Sequence, residues 1–94
     1  MRPPQTDRCE LCGRDKPLTF HHLIPRKMHR KRKVRERFDR EEIVSRGIWV
    51  CRLCHRQIHR FHDQQTLALE LNTRDALMRE TRMAGFLAWA RKQR

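Results

Sequence analysis

Apolar and polar residues alternate in two short segments of the chain, and this pattern predicts two β-strands. In PLTFHHLIP, Leu18, Phe20 and Ile24 fall on alternate positions. Pro25 closes the segment, because proline has no N–H to donate to a sheet. A second brief strand is predicted for IWV at 48–50. The expected sheet is therefore small.

Helical patterns follow the second strand. From 52 to about 62, apolar residues recur at steps of three and four, which predicts an amphipathic helix. Asp63 and Thr73 each precede a further helical segment, the first containing Leu67, Leu69 and Leu71, and are predicted to cap it through their side-chain oxygens. The last helix has an apolar stripe at Met83, Phe86, Leu87 and Ala90. We expect this stripe to form core packing over the strands and the first of these helices.

The segment RKMHRKRKVRERFDR, residues 26–40, contains nine Lys or Arg and two acidic residues. A disordered basic loop and a solvent-facing helix are equally consistent with it. At its end, Asp39 and Glu42 have the spacing of a helix cap, so a short helix is predicted over 40–46, ending at Gly47.

The net charge changes this picture, because +12 is extreme for a chain of 94 residues. A chain this short buries only about 60% of its unfolded surface and commonly needs disulfides or a metal. Charge of this size also repels itself, and nucleic acid is the usual acidic partner of so basic a domain. A membrane surface fits less well, since the basic segment lacks an apolar face with Trp or Leu. A merely soluble cationic surface is the plain alternative.

Four cysteines in two C-x-x-C pairs can supply this stabilising metal site or these disulfides. They are Cys9, Cys12, Cys51 and Cys54. The first residues do not resemble a signal peptide and no apolar run is long enough to span a membrane, which predicts a cytoplasmic protein. Paired C-x-x-C motifs then predict a structural Zn²⁺ on four thiolates, with a redox or disulfide role as the alternative. The long gap between the pairs indicates that functional residues lie inside it.

Histidines form a second candidate metal site. His55 and His59 are four residues apart on a predicted helix and therefore share one face, although two solvated histidines would show the same spacing. His62 is placed to substitute for one of them. His29 lies in the basic segment and is expected at the surface.

The adjacent pair, His21 and His22, lies in the first predicted strand, where neighbouring side chains point to opposite faces. Two such rings do not readily bind the same ion. One of them can complete a three-histidine site with His55 and His59, and the other is then free to accept a proton from water. A metal with three protein ligands and an open position has the form of a catalytic site.

In a basic protein, such a site suits the hydrolysis of a phosphodiester backbone. The metal would neutralise charge that develops on the phosphate and the leaving oxygen. A neutral imidazole, with an ordinary pKa of about 6.5, is suited to activate water at neutral pH. Three imidazoles without a carboxylate favour Zn²⁺, Ni²⁺ or Mn²⁺ over Mg²⁺, and all four ions stay open.

The order C-x-x-C, then HH-L-I-P, then C-x-x-C-H-x-x-x-H closely resembles the HNH endonucleases. The resemblance covers Cys9 to about His62. It implies a single domain over 1–94, with the core at about 9–62 and a C-terminal helical extension at 63–94. The implied fold class is α+β: a small zinc-stapled ββα-metal (His-Me finger) core with additional C-terminal helices.

The resemblance also implies a role for each motif residue. The second histidine of the pair, His22, would be the general base, and His21 before it a metal ligand. In histidine-rich members, typified by the bacterial colicin DNases, the closing H-x-x-x-H supplies the other ligands, here His55 and His59. Cysteine-bearing members hold the two ends of the core together with zinc, which here implies the four cysteines.

One position departs from the family pattern. The family has an asparagine shortly before the last helix of the core, where it helps to orient the base. This chain reads SRGIWVC there, and its single asparagine is Asn72. Supporting contacts of this kind change activity by about 10–100-fold. Either another group, such as a backbone carbonyl, orients the base or catalysis is weaker.

The sequence therefore predicts a metal-dependent endonuclease acting on DNA, with RNA as an alternative substrate. Basic residues are expected to hold backbone phosphates, namely Arg26, Lys27, Arg30, Lys31, Arg32, Lys33 and Arg35. One rival hypothesis is a non-catalytic zinc-containing module that binds nucleic acid. Another is an accessory subunit that docks on a larger protein partner through its C-terminal helices.

Overall fold

A two-stranded antiparallel sheet lies at the centre of residues 2–94, which are the residues that the computed structural model describes. The first strand, β1, spans Leu18–His22 and the second, β2, spans Gly47–Cys51. Their register places His21 opposite Ile48. Both predicted strands are present. The first ends at His22, before Ile24 and Pro25, and the second extends one residue beyond IWV on each side.

Helices account for most of the remaining chain, so the fold is a small α+β structure, as predicted at that level. A short 3-10 helix, Arg26–Met28, precedes the first α-helix. The described residues form six α-helices: α1 (Arg32–Arg37), α2 (Arg40–Ser45), α3 (Arg52–Phe61), α4 (Gln64–Leu69), α5 (Arg74–Arg79) and α6 (Thr81–Ala90). None of these helices has the length and apolar character needed to cross a bilayer.

The basic segment is helical rather than a disordered loop. It folds because a few apolar side chains among the charges pack together beneath it, on one side of α4. The buried members of this small cluster are Ile24, Met28, Val34, Ile43 and Ala68. The Lys and Arg side chains of the segment point outward in consequence, and all nine residues are exposed.

The main core lies between the sheet and the C-terminal helices. Ile48, Val50 and Ile58 are buried together with Met83 and Leu87 of α6, which packs against α3 and α5. The predicted apolar stripe of the last helix is therefore part of the core. Trp89, beside that stripe, keeps 52% of its surface exposed.

Side-chain caps set most of the helix starts. Asp39, Asp63 and Thr73 each accept a hydrogen bond from the backbone N–H three residues further on, at 2.8–3.0 Å, as their positions predicted. Helix α4 ends at Leu69, before Leu71. Glu80 caps α6, and the apolar pattern gave no sign of this break between α5 and α6.

Gly47 belongs to β2 and does not end the preceding helix, contrary to prediction. Helix α2 ends at Ser45, and Arg46 leads into the strand in an extended conformation. A side chain at Gly47 is excluded by the partner strand: a Cβ there would lie 2.1 Å from Cζ of Phe20 and 2.7 Å from the backbone oxygen of His21. The glycine thus allows Phe20 to lie across β2.

Gly47→Ala is therefore expected to lower the free energy of unfolding by about 1–3 kcal/mol, the usual cost of overpacking. Thermal unfolding followed by circular dichroism measures this as a fall of about 4–8 °C per kcal/mol in a domain of this size. Gly85→Ala is the matched control, because nothing lies within 4 Å of a Cβ at that helical position. There we expect a gain of up to about 1 kcal/mol. Equal melting temperatures for the two variants would contradict the packing argument.

Candidate metal centres

The four cysteines come together in one buried cluster, as the two C-x-x-C motifs predicted. All four Sγ atoms lie within 4.8 Å of one another. Sγ of Cys12 and Sγ of Cys51 are 3.8 Å apart. Thiolates about 2.3 Å from a tetrahedral Zn²⁺ stand about 3.8 Å from each other. The cluster can therefore hold a metal ion such as zinc with little rearrangement.

Two different pieces of backbone present these thiols. The first pair sits on a tight turn in which the N–H of Gly13 donates to the carbonyl of Cys9 at 2.9 Å. Gly13 has φ of +78°, a conformation that glycine adopts at little cost. Of the second pair, Cys51 ends β2 and Cys54 lies in the first turn of α3. A metal here would fasten the first turn to the strand–helix junction.

The charges around the thiols favour a cation among them. A hydrogen bond from the Cys54 thiol lowers the pKa of Cys9, while the same contact and burial raise the pKa of Cys54. Four buried thiols left to themselves cannot all ionise. The Arg14 guanidinium donates to Sγ of Cys12 at 3.4 Å and to Sγ of Cys51 at 3.5 Å. These contacts, which raise the pKa of Arg14, suit an anionic metal–thiolate group.

A second group of possible ligands consists of His21 on β1 and His55 and His59 on α3. One nitrogen from each ring lies within 4.8 Å of the others. Ring centroids are 5.2 Å apart for His21 and His55 and 5.4 Å for His21 and His59. The structure thus brings the three predicted histidines together.

His21 is the unusual member of this histidine trio (His21, His55 and His59). It is 0% exposed, and neither of its ring nitrogens has a hydrogen-bond partner. Buried polar groups are normally paired, because an unpaired one costs free energy. Burial, with the nearby histidines, lowers the pKa of His21 to about 3, so the ring is neutral and offers a lone pair. These properties fit a metal ligand.

His22 faces the other side of the strand, as alternation predicted. Its ring lies edge-on to Phe20 at a centroid distance of 5.1 Å. Burial lowers the pKa of His22, and the charges of Arg2, His29 and Arg26 lower it further, so the ring is neutral at pH 7.

A cavity of about 190 Å³ connects His22 to the histidine trio. His22, His55 and His59 all line it, together with Phe20 and Gln64. A small phosphate-sized group in this cavity would therefore meet both a free neutral imidazole and the exposed side of a three-histidine cluster.

The other two histidines lie outside the histidine trio. Nε2 of His62 is 2.6 Å from a carboxylate oxygen of Glu80, so this ring links the end of α3 to the start of α6 and is not in the group of possible ligands. His29 is half-buried, and its Nε2–H donates to the carbonyl of Ile24 at 2.7 Å. The expectation of a surface residue was wrong because His29 fastens the chain where β1 leads into the basic segment.

The seven basic residues assigned to phosphate binding line three different cavities. Arg26 and Lys27 line the cavity that contains His22. Arg30 and Arg35 line a different cavity, of about 600 Å³, beside α2. A third, of about 270 Å³ and beside α4, is bordered by the remaining three residues, Lys31, Arg32 and Lys33. The first pair, Arg26 and Lys27, thus shares a cavity with His22, His55 and His59.

Three further residues, absent from the predicted sites, lie next to the histidine trio. Thr19, Arg52 and Arg56 line a cavity of about 410 Å³ with His55 and His59. The two arginines could have been found from helical spacing, since Arg52 and Arg56 bracket His55 on α3. Thr19 had no such signal, because its role depends on which helix covers β1.

Asn72 does not replace the family's asparagine near the base. Its side-chain N–H donates to the backbone carbonyl of Ala68 at 2.9 Å. Its backbone carbonyl accepts a hydrogen bond from Nε–H of Arg46, also at 2.9 Å. These bonds close the end of α4. Asn72 therefore has a structural role in this fold.

Comparison with known proteins gives one clear relative. No protein-family model matches the chain, and no solved structure matches it. The chain is 36% identical over 86 residues to a protein of Bacillus subtilis (strain 168) described as "Uncharacterized protein YisB". The match covers 90% of this chain and 74% of the Bacillus protein.

Proposed function

This chain belongs to the same protein family as YisB of Bacillus subtilis, and we propose that it is a metal-dependent HNH-type endonuclease that hydrolyses phosphodiester bonds in DNA. In this proposal β1, β2 and α3 supply the ββα-metal core. The observation that carries it is the environment of His21: a fully buried, unpaired ring that meets His55 and His59. His22, on the opposite face, lines the same cavity as those two residues.

The two candidate centres have different tasks. His21, His55 and His59 would hold a divalent ion, which when bound supplies charge stabilisation to the phosphoryl oxygens and to the departing oxygen. Zn²⁺, Ni²⁺ and Mn²⁺ suit three imidazoles better than Mg²⁺ does. The four cysteines would hold a closed structural Zn²⁺ that joins the first turn to the start of α3, and hence fixes His55 one residue after Cys54.

His22 would act as the general base. Its neutral ring takes a proton from a water molecule as the water oxygen bonds to phosphorus, and the phosphorus–oxygen bond to the leaving nucleotide breaks. The departing oxygen takes a proton from solvent, and the ring of His22 returns its own proton to solvent. In the place of the family's asparagine, the edge-on contact with Phe20 would orient the ring in this chain. Gly47 supports that contact by leaving room for Phe20.

Cationic side chains on two sides of the site would hold the phosphates that flank the scissile one. Arg26 and Lys27 border the cavity of His22 on one side. Arg52 and Arg56 border His55 and His59 on the other. Arginine and lysine bind phosphate oxygens without regard to base sequence, so weak sequence preference is expected.

Nicking of supercoiled plasmid tests the proposal. Purified protein is incubated with Mg²⁺, Mn²⁺, Ni²⁺ or Zn²⁺ in turn, and His59→Ala is compared with wild type. We expect cleavage with at least one ion, and a fall of at least about 100-fold in the variant, because charge stabilisation by the ion is worth several kcal/mol.

The matched control is His62→Gln, which changes a histidine just beyond the trio and keeps a group that can hydrogen-bond Glu80. Its activity should stay close to wild type. Retarded migration of the DNA without cleavage in any of the four ions would overturn the enzyme and favour the zinc-containing binding module.

A further inference from the structure

We infer that Thr19 is a positioning residue that fixes the tautomer of His55 and so leaves Nε2 as its metal-binding nitrogen. The inference rests on the proposed metal site of the histidine trio and assigns it a supporting group. It comes from two hydrogen bonds that meet at one hydroxyl. Thr19 Oγ1 lies 2.8 Å from Nδ1 of His55 and 3.1 Å from the carbonyl oxygen of Val50.

The direction of both bonds follows from the atoms. A carbonyl oxygen can only accept, and a hydroxyl has a single proton. The hydrogen bond to the carbonyl of Val50, at 3.1 Å, therefore has Thr19 Oγ1 as its donor. The hydroxyl oxygen is then left as an acceptor, so Nδ1 of His55 must carry the proton. The lone pair of His55 is consequently on Nε2, the nitrogen that remains free for a cation.

The position of Thr19 on β1 makes this arrangement possible. Thr19 and His21 are two residues apart on the strand and so lie on the same face, which is covered by α3. The register of the sheet places Val50 directly opposite Thr19. One face of β1 therefore supplies both a ligand, His21, and the support for a second ligand, His55.

This support has a chemical effect as well as a geometric one. Metal-binding histidines commonly donate their second ring N–H to an oxygen, which fixes the ring and makes the bound nitrogen more basic. Because the hydroxyl itself donates to a carbonyl, the two hydrogen bonds strengthen each other. Loss of such a support usually weakens metal binding by about 10–100-fold.

The first test reads the tautomer directly in protein that has no ion on the trio. Protein with ¹⁵N-labelled histidines is loaded with one equivalent of Zn²⁺ to fill the four-cysteine cluster. Long-range ¹H–¹⁵N spectra are then recorded at pH 7.5. We expect His55 of wild type and of Thr19→Ser to carry its proton on Nδ1. In Thr19→Val, which keeps the branched shape and loses the hydroxyl, we expect a shift toward the Nε2–H form. Thr81→Val, at an exposed site on α6, is the control.

The second test measures Ni²⁺ affinity by calorimetry on the same zinc-loaded proteins. Thr19→Val should bind about 10–100-fold more weakly, and Thr19→Ser within a few-fold of wild type. Unchanged His55 signals and unchanged affinity in Thr19→Val would overturn the inference. If wild type bound no second ion, the proposed metal site of the histidine trio would be wrong. The tautomer of His55 would then still show whether Thr19 positions that ring. If wild type bound Ni²⁺ but cut no DNA, the nuclease proposal alone would fail.

Discussion

Removal of metal from the four-cysteine cluster is expected to unfold the chain. The cluster joins Cys9 and Cys12 to Cys51 and Cys54 across most of the core, and all four side chains are buried. A structural zinc site contributes about 10–16 kcal/mol at pH 7, which is as large as the whole stability of an ordinary domain, about 5–15 kcal/mol. Without the ion, buried thiols and a +12 surface charge oppose folding together.

A strong zinc chelator and the substitution Cys51→Ser provide the measurement. Both should abolish the cooperative thermal transition and most of the near-ultraviolet circular dichroism, and excess Zn²⁺ should restore them for the chelated wild type only. His59→Ala is the matched control, because it removes a ligand from the trio and leaves the cluster intact. It should melt within a few degrees of wild type. A chelated protein that still melts cooperatively would contradict the structural role of the cluster.

The elements that sequence predicted best are those decided by neighbouring residues. Asp39, Asp63 and Thr73 cap the helices they precede, since a side-chain oxygen needs only the N–H three residues on. The C-x-x-C turns are equally local. The alternation of His21 and His22 follows from strand geometry alone, and the structure places the two rings on opposite faces.

The wrong predictions depend on contacts between distant residues. In the sequence, Gly47 resembles a residue that ends a helix. Its glycine is instead required by the ring of Phe20, which lies over it from β1. His29 was expected at the surface, but the carbonyl of Ile24 holds it half-buried. The choice between a loop and a helix for the basic segment stayed open for the same reason, because Met28 and Val34 are buried only where they pack with Ala68 of α4.

The candidate site shows the same division. Spacing on α3 was enough to propose His55 and His59 as a pair, and strand alternation was enough to add one of the adjacent histidines. The sequence could not show which cationic side chains share a cavity with the site, because the residues of the basic segment line three separate cavities. Thr19 could not be found either, since one of its two bonds joins β1 to α3.

His22→Ala is expected to reduce metal-dependent DNA cleavage by about 10²–10⁴-fold, the range in which a general base contributes. Binding of the ion should be unaffected, because His22 faces away from His21 and is not among the possible ligands. Cleavage rates on plasmid and Ni²⁺ affinity by calorimetry, measured on the same preparation, separate the two effects. His29→Gln is the matched control, since it changes a neighbouring ring that the proposed reaction does not use.

Added imidazole provides the stronger form of this test. The substitution to alanine enlarges a cavity of about 190 Å³ beside the trio, so a free imidazole can occupy the place of the lost ring. If His22 serves as the base, millimolar imidazole should restore part of the cleavage by His22→Ala and leave His59→Ala inactive, because a free base cannot replace a lost ligand of the trio. Cleavage by His22→Ala at the wild-type rate, with no response to imidazole, would show that another group activates the water.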